Sequence, residues 1–319
     1  MMDGASVVIC ARNAEGSLAA QLSAVLAQET EFEFEVVVVD NGSTDGTASI
    51  VALAAQLDRR VLPVYESEPG QNVARNAGVR SASHDRILMC DADDTVEAGW
   101  IQAMARALDG RVYAGGARIR GGLNTPKELD LLGIVHLETT IRCSTKLGVP
   151  TPGGANCAFR KTMWDEVGGF DPGIRLALDE EEFFARAHLA GWRMVEVPDA
   201  VIQYFVPAEP MDAFRKGYRY GRDVEEARAR FRSSRATGKT TSLGENDEVG
   251  GPVAATATRV SRARQRWASI IRESPRVAVS QSGRSDWTRR LGSELGHIVG
   301  DSRVRLESYR RLPSGGDGG

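Results

Sequence analysis

The chain opens on a short apolar run at 6–10, and Leu18, Leu22, Val25 and Leu26 then recur at helical spacing. This strand-then-helix rhythm repeats. Strands are predicted at 34–39, 61–65, 87–90 and 111–119, and helices at 47–56, 73–80 and 100–108. Strands separated by helices of this length require right-handed crossovers, which give an α/β fold with a mostly parallel, Rossmann-like sheet flanked by helices. Between 121 and 152 the glycines and mixed composition carry no readable period. The pattern resumes with a strand at 156–159, a helix at 161–167, the turn Gly168-Gly169-Phe170-Asp171-Pro172, and a helix at 179–190. Strands at 194–197 and 201–205 then lead into a long charged helix at 211–231. A Ser-, Thr- and Gly-rich stretch at 233–251 reads as a flexible linker, followed by helical pieces at 259–272 and 285–299 and a Gly-rich end from 313. The expected organisation is a main α/β domain at 1–230, a linker at 231–258, a basic helical C-terminal extension at 259–312 and a disordered tail at 313–319.

Two of the apolar runs stop at acids. Val36-Val37-Val38-Val39 leads into Asp40-Asn41-Gly42-Ser43-Thr44-Asp45-Gly46-Thr47, and Ile87-Leu88-Met89-Cys90 into Asp91-Ala92-Asp93-Asp94. A parallel strand ending this way delivers a carboxylate to its C-terminal edge, where open α/β sheets bind ligands, so two acidic strand ends predict one shared pocket. Asp40 fixed there can accept a hydrogen bond from a nucleobase N–H or a ribose hydroxyl, whereas Ser43 and Asp45 read first as caps of the next helix. Asp91 and Asp93, at i and i+2 of extended chain, face the same side. Hard oxygens so placed suit Mg2+ or Mn2+ completed by phosphate oxygens and water, which makes a clamp for a diphosphate. A lone DxD triplet is common in solvated turns; its position directly after an apolar strand gives this one its weight.

The composition, 42% hydrophobic and 26% charged over 319 residues, is that of an ordinary soluble chain. No apolar run approaches the roughly 20 residues that cross a bilayer, and no signal-peptide pattern opens the chain, so a cytoplasmic protein is expected. Cys10, Cys90, Cys143 and Cys157 are widely spaced without a CxxC pair, which points to neither a zinc knuckle nor a disulfide framework. The net charge of −3 conceals an asymmetry: from Arg228 onward there are 18 basic and 9 acidic residues, leaving −12 on 1–227. A basic end suits peripheral contact with the anionic inner face of a membrane, and its sparse aromatics argue against a nucleic-acid partner. A solvated tail would carry the same charge.

In this order the motifs resemble the family-2 type of inverting glycosyltransferases with the GT-A fold. The resemblance runs through Val7-Val8-Ile9-Cys10-Ala11-Arg12-Asn13, the Val39–Thr47 segment, Gly70-Gln71-Asn72-Val73-Ala74-Arg75-Asn76-Ala77-Gly78 and Asp91-Ala92-Asp93-Asp94. It continues through Gly153-Gly154-Ala155-Asn156, Val167-Gly168-Gly169-Phe170-Asp171 and the acidic helix from Asp179, covering roughly residues 5 to 230. It implies transfer of a sugar from a nucleoside-diphosphate donor to a saccharide, lipid-linked or other hydroxyl acceptor, assisted by Mg2+ or Mn2+, in cell-envelope or polysaccharide synthesis. Carried over by position, it makes Ala11, Arg12, Glu15, Asn41 and Gly42 part of the donor pocket and Asp40 the partner of the base. Arg75 would approach the diphosphate, Asp91 the ribose and metal, and Asp93 the metal. Gly154, Asn156, Asp179 and Glu181 would lie on the acceptor side, and Glu180 would be the general base.

Two positions depart from the family pattern. The family usually has Asp where this chain has Glu180, one methylene longer, among Asp179, Glu181 and Glu182, whose clustered charge favours a raised pKa. An acidic first turn also simply complements a helix dipole. Many relatives place a His after the strand at 201–202, where this chain has Gln203-Tyr204-Phe205, and no His here has metal-ligand spacing; His188, in the acidic helix, is the one nearest the expected chemistry. A sugar nucleotidyltransferase should carry a Gly-rich phosphate loop after the first strand, and Cys10-Ala11-Arg12-Asn13-Ala14-Glu15 is not one. A catalytically silent sugar-nucleotide-binding protein would keep Asp40 and the Asp91/Asp93 pair but not a base.

Overall fold

The computed structural model describes residues 4–132, 136–141, 143–144, 147–174 and 178–206, with isolated positions between 214 and 293. The linker, the tail and all of the basic extension but Ser293 lie outside the described residues, as does most of the helix expected at 211–231. Two compact units are formed, one from residues 1–125 and 136–206 and a second from 126–135 and 207–319. Of the second unit, the helix Pro126–Leu132 and a few isolated positions are described.

The first unit begins with β1 (Gly4–Ala11), α1 (Leu18–Leu26), β2 (Glu33–Asp40), α2 (Thr47–Leu57), β3 (Val61–Tyr65), α3 (Gln71–Ser81) and β4 (Arg86–Asp91). Every apolar run read as a strand in this stretch is one, and β1, β2, β3 and β4 pair in parallel in the order β3-β2-β1-β4. Val36 to Val39 are all fully buried because successive side chains point to opposite, equally covered faces. Val36 and Val38 join Leu18, Leu22, Trp100 and Met104 on one face. Val37 and Val39 join Phe159, Phe183 and Phe184 on the other. Each such valine contributes about 1.5–3 kcal/mol relative to an exposed one.

Beyond β4 come β5 (Thr95–Val96), α4 (Trp100–Ala107) and β6 (Val112–Arg120). The stretch without a period holds α5 (Pro126–Leu132), β7 (Thr139–Ile141), β8 (Cys143–Ser144) and β9 (Thr151–Pro152), each too short for either periodicity to show. The chain then forms β10 (Asn156–Arg160), α6 (Lys161–Val167), α7 (Asp179–Leu189) and β11 (Arg193–Tyr204). The nine-stranded sheet of the described residues runs β3-β2-β1-β4-β10-β6-β11-β5, with β7 also paired to β6. β10 lies antiparallel to both β4 and β6, so this sheet is parallel on the β1 side and mixed beyond it.

The two closing strands expected at 194–197 and 201–205 are one strand with a register shift between Val197 and Val201. Pro198 lacks an N–H for the ladder. The amide of Asn156 fills the irregularity, donating from Nδ2 to Ala200 O (2.9 Å) and Ala117 O (2.7 Å) and accepting Trp100 Nε1–H at Oδ1 (2.8 Å). Gly116 makes room for it: a Cβ there would stand 2.4 Å from Asn156 Nδ2.

Candidate active site

The parallel ladders bring the strand ends together. Ala11 is opposite Asp40 and Cys10 opposite Asp91, so β1, β2 and β4 present Ala11, Asp40 and Asp91 along one edge. Asp40 is 7% exposed and accepts the Ser43 N–H at 3.0 Å, while Gly42 turns the chain away at φ +66°. Arg12 is exposed at the end of β1. Glu15, expected in the nucleotide pocket, instead accepts Gly46 N–H at 2.7 Å at the start of α2, so its carboxylate acts as a cap from a neighbouring loop. Asp45 is the cap the sequence suggested, accepting Thr47 N–H (3.0 Å) and Glu15 N–H (3.1 Å). Asn41, also expected at the donor, fastens the loop before α3: its Nδ2 donates to Glu66 O and Glu68 O, and its Oδ1 accepts Gly70 N–H.

At the end of β4, ligand oxygens of Asp91, Asp93 and Asp94 all lie within 4.8 Å of one another. Asp94, which carried no assigned role in the sequence, is 2% exposed and makes this a cluster of three. Its Oδ1 accepts Phe205 N–H at 3.4 Å, so where relatives are expected to bring a His, this chain brings backbone to the acid turn. Gln203 pairs instead with Glu97 through its side-chain amide. Gln21, fully buried on α1, holds both ends of the acidic turn by donating to Asp91 O (2.9 Å) and accepting Val96 N–H (3.1 Å). Nothing in the local sequence marks Gln21 except a polar residue on an otherwise apolar helix face. Three hard carboxylates converging on one point fit a divalent cation of the Mg2+/Mn2+ kind.

The other wall comes from β10 and α7. The β4–β10 ladder ends with Asn156 opposite Cys90, so the Gly153-Gly154 turn before β10 emerges beside Asp91. Glu180 is half-buried in the first turn of α7 and accepts Gly154 N–H at 3.1 Å. The apolar face of α7 packs inward, with Phe183, Phe184 and Ala187 fully buried. Glu181, expected on the acceptor side, is 2% exposed within the helix. Glu182 is held by Arg186 at 2.7 Å, and Arg186 in turn donates to Val167 O and Gly169 O. Asn156 lies inside the sheet with its amide bonded on both sides, which makes it a fastener of β10 rather than a lining residue.

Arg75, expected at the diphosphate, is buried. Its Nη1 lies 2.6 Å from Asp179 Oδ2, with side-chain exposures of 4% and 5%, and 3.1 Å from Asn72 Oδ1. Burial opposes the charge of the guanidinium, and Asp179, Glu180 and Asp91 together keep it cationic. Burial first, then the adjacent Glu180 charge, pushes the Asp179 carboxyl well above the ordinary range against the pull of Arg75. Cys10, at the end of β1, is likewise pushed up to about 12 by burial, so its thiol stays protonated.

The family model for glycosyl transferase family 2 matches residues 6–168. An uncharacterized glycosyltransferase of Mycobacterium tuberculosis is 32% identical over 198 residues, spanning 61% of this chain and 84% of that protein. Among solved structures, a mannosyltransferase from Pyrobaculum calidifontis in complex with GDP-Man and Mn2+ superposes with a TM-score of 0.59 at 18% identity, covering 93% of this chain and 86% of that one. GalNAc-T7 with UDP, GalNAc and Mn2+ superposes with a TM-score of 0.51 at 17% identity, covering 77% and 53%.

Proposed function

Since the chain belongs to glycosyl transferase family 2 and is a glycosyltransferase of GT-A type, we propose that it moves a sugar, with inversion, from a nucleoside-diphosphate donor to an acceptor hydroxyl. The observation that carries this reading is the meeting, at one sheet edge, of a three-carboxylate cluster and a separately held Glu180. In-line displacement needs a leaving diphosphate on one side of the sugar and a base on the other.

In this reading Asp40 receives the nucleobase or ribose, with Ala11, Arg12 and Gly42 around it. Asp91, Asp93 and Asp94 would hold Mg2+ or Mn2+, which when bound supplies stabilisation of the charge developing on the departing diphosphate. Glu180 takes the proton of the acceptor hydroxyl as its oxygen bonds to the anomeric carbon. The bond from that carbon to the diphosphate breaks, and its electron pair leaves with the nucleoside diphosphate. The Gly154 N–H fixes one carboxylate oxygen, leaving the group oriented for that transfer. The Mn2+ in the structures of the two superposed proteins, one with GDP-Man and one with UDP, supports a donor of this class.

The test is an assay for nucleoside diphosphate release from a panel of nucleotide sugars with Mn2+ and hydroxyl acceptors. Glu180→Gln is expected to lose transfer by at least about 100-fold, within the range general bases contribute, while still binding the nucleoside diphosphate. Equal turnover by Glu180→Gln and wild type would place the base elsewhere, and binding without turnover of any donor would overturn the catalytic reading.

A further inference from the structure

We propose that Arg75 and Asp179 are positioning residues for Glu180, forming a buried strut from α3 to α7, and that Arg75 is not a ligand of the donor diphosphate. The inference rests on Glu180 being the base.

The strut begins on α3, which is buried almost all round although its sequence, Gln71-Asn72-Val73-Ala74-Arg75-Asn76, is polar. Asn72, Arg75 and Asn76 lie at i, i+3 and i+4 and so share one helix face. All three reach the segment that delivers α7. Asn72 Nδ2 donates to Asp171 O (2.9 Å) and Ile174 O (3.3 Å). Asn76 bonds Phe170 at both its N–H and its carbonyl, and accepts Trp164 Nε1–H. Arg75 completes the row, its guanidinium over the Phe170 ring at 5.5 Å and its Nη1 on Asp179. The face thus ends at the residue immediately before Glu180.

The same guanidinium underlies the partner of Glu180. A Cβ placed on Gly154 would stand 2.7 Å from Arg75 Nη2 and 3.2 Å from Glu180 Cδ and Cγ, so the three groups are packed with no space for a methyl. Gly154 offers its N–H to Glu180 at 3.1 Å beside that contact. Arg75 therefore fixes Glu180 twice, through the backbone neighbour Asp179 and through the peptide that holds its carboxylate. A guanidinium with Nη1 already between two acceptors and 4% exposed is built to hold protein groups. A diphosphate ligand would have to reach solvent.

The experiment uses the full chain with Asp179→Asn and the paired Arg75→Met/Asp179→Leu, the second removing both charges so that neither is left buried alone. The Gly154 amide is followed by NMR with selective glycine labelling, assigned by its loss in Gly154→Ala. GDP or UDP binding with Mn2+ is measured by calorimetry, and kcat at saturating donor by product release. The expected result is a displaced Gly154 amide signal in both variants, nucleoside diphosphate affinity within twofold of wild type, and kcat reduced at least tenfold. An unmoved Gly154 amide would overturn the strut whatever the activity. So would a tenfold or greater loss of nucleoside diphosphate affinity with kcat kept, which would return Arg75 to the donor. Failure of the base assignment itself shows separately, as undiminished turnover of Glu180→Gln.

Discussion

His188 lies two turns beyond Glu180 on α7, with Nδ1 3.2 Å from the Tyr113 hydroxyl. That hydroxyl donates its single proton to Pro150 O at 2.8 Å, so Nδ1 carries a proton and donates to the tyrosine oxygen. Burial, and then the charge of Arg193, hold the imidazole below its ordinary value of 6.5. The unfolded chain therefore takes up a proton before the folded one. Stability from this group is present above pH about 6.5 and declines as pH falls below it, until the folded form is protonated as well. His188→Gln is expected to flatten that stretch of a Tm-against-pH curve by about 1 °C, a small change because the ring is partly exposed. An unchanged slope would mean that His188 titrates alike in both states. At this scale the sequence was legible where a side chain's position follows from its strand, as with Asp40 and Asp91 at the sheet edge. It held no signal for partners distant in sequence: Glu15 caps α2, Asn41 ties down the loop before α3, and Arg75 pairs with Asp179.

Among the elements, β10 depends most on one residue. Replacing Asn156 leaves Ala117 O, Ala200 O and Trp100 Nε1–H buried without their partner. At about 1–3 kcal/mol for each orphaned group, Asn156→Ala is expected to cost about 3 kcal/mol or more. For a domain of this size that lowers Tm by about 6–12 °C. Donor and acceptor KM should be unchanged in the fraction that stays folded in the cold; a raised acceptor KM with Tm intact would make Asn156 an acceptor-side residue after all. β1 to β4 and α7 were readable because their apolar runs are long enough to show their period. β7, β8 and β9 span two or three residues each, and no periodicity exists at that length. The buried polar face of α3 is intelligible only once Trp164, Phe170, Asp171, Ile174 and Asp179 are laid against it.

For the whole molecule, donor and metal are expected to bind together at the acidic strand ends. Mn2+ with GDP or UDP at about 100 times its Kd should stabilise the protein by about 2.7 kcal/mol, a rise in Tm of roughly 5–10 °C, and the nucleotide in EDTA should give little of it. Asp93→Asn or Asp94→Asn should diminish the rise. An equal shift with and without Mn2+ would remove the acidic cluster from donor binding. By itself the sequence determined the parallel half of the sheet, the two acidic strand ends and the acidic first turn of α7, because period and strand ends are local properties. Only the tertiary structure decided what the long-range polar groups do. It turned β10 antiparallel, so that Gly154 emerges beside Asp91; it added Asp94 to the acid cluster and set Gln21 behind it; and it joined Arg75 to Asp179 across 104 positions of chain. The physical reason is that a buried polar group must find a partner wherever the fold brings one, and no spacing rule along the chain specifies which residue that will be.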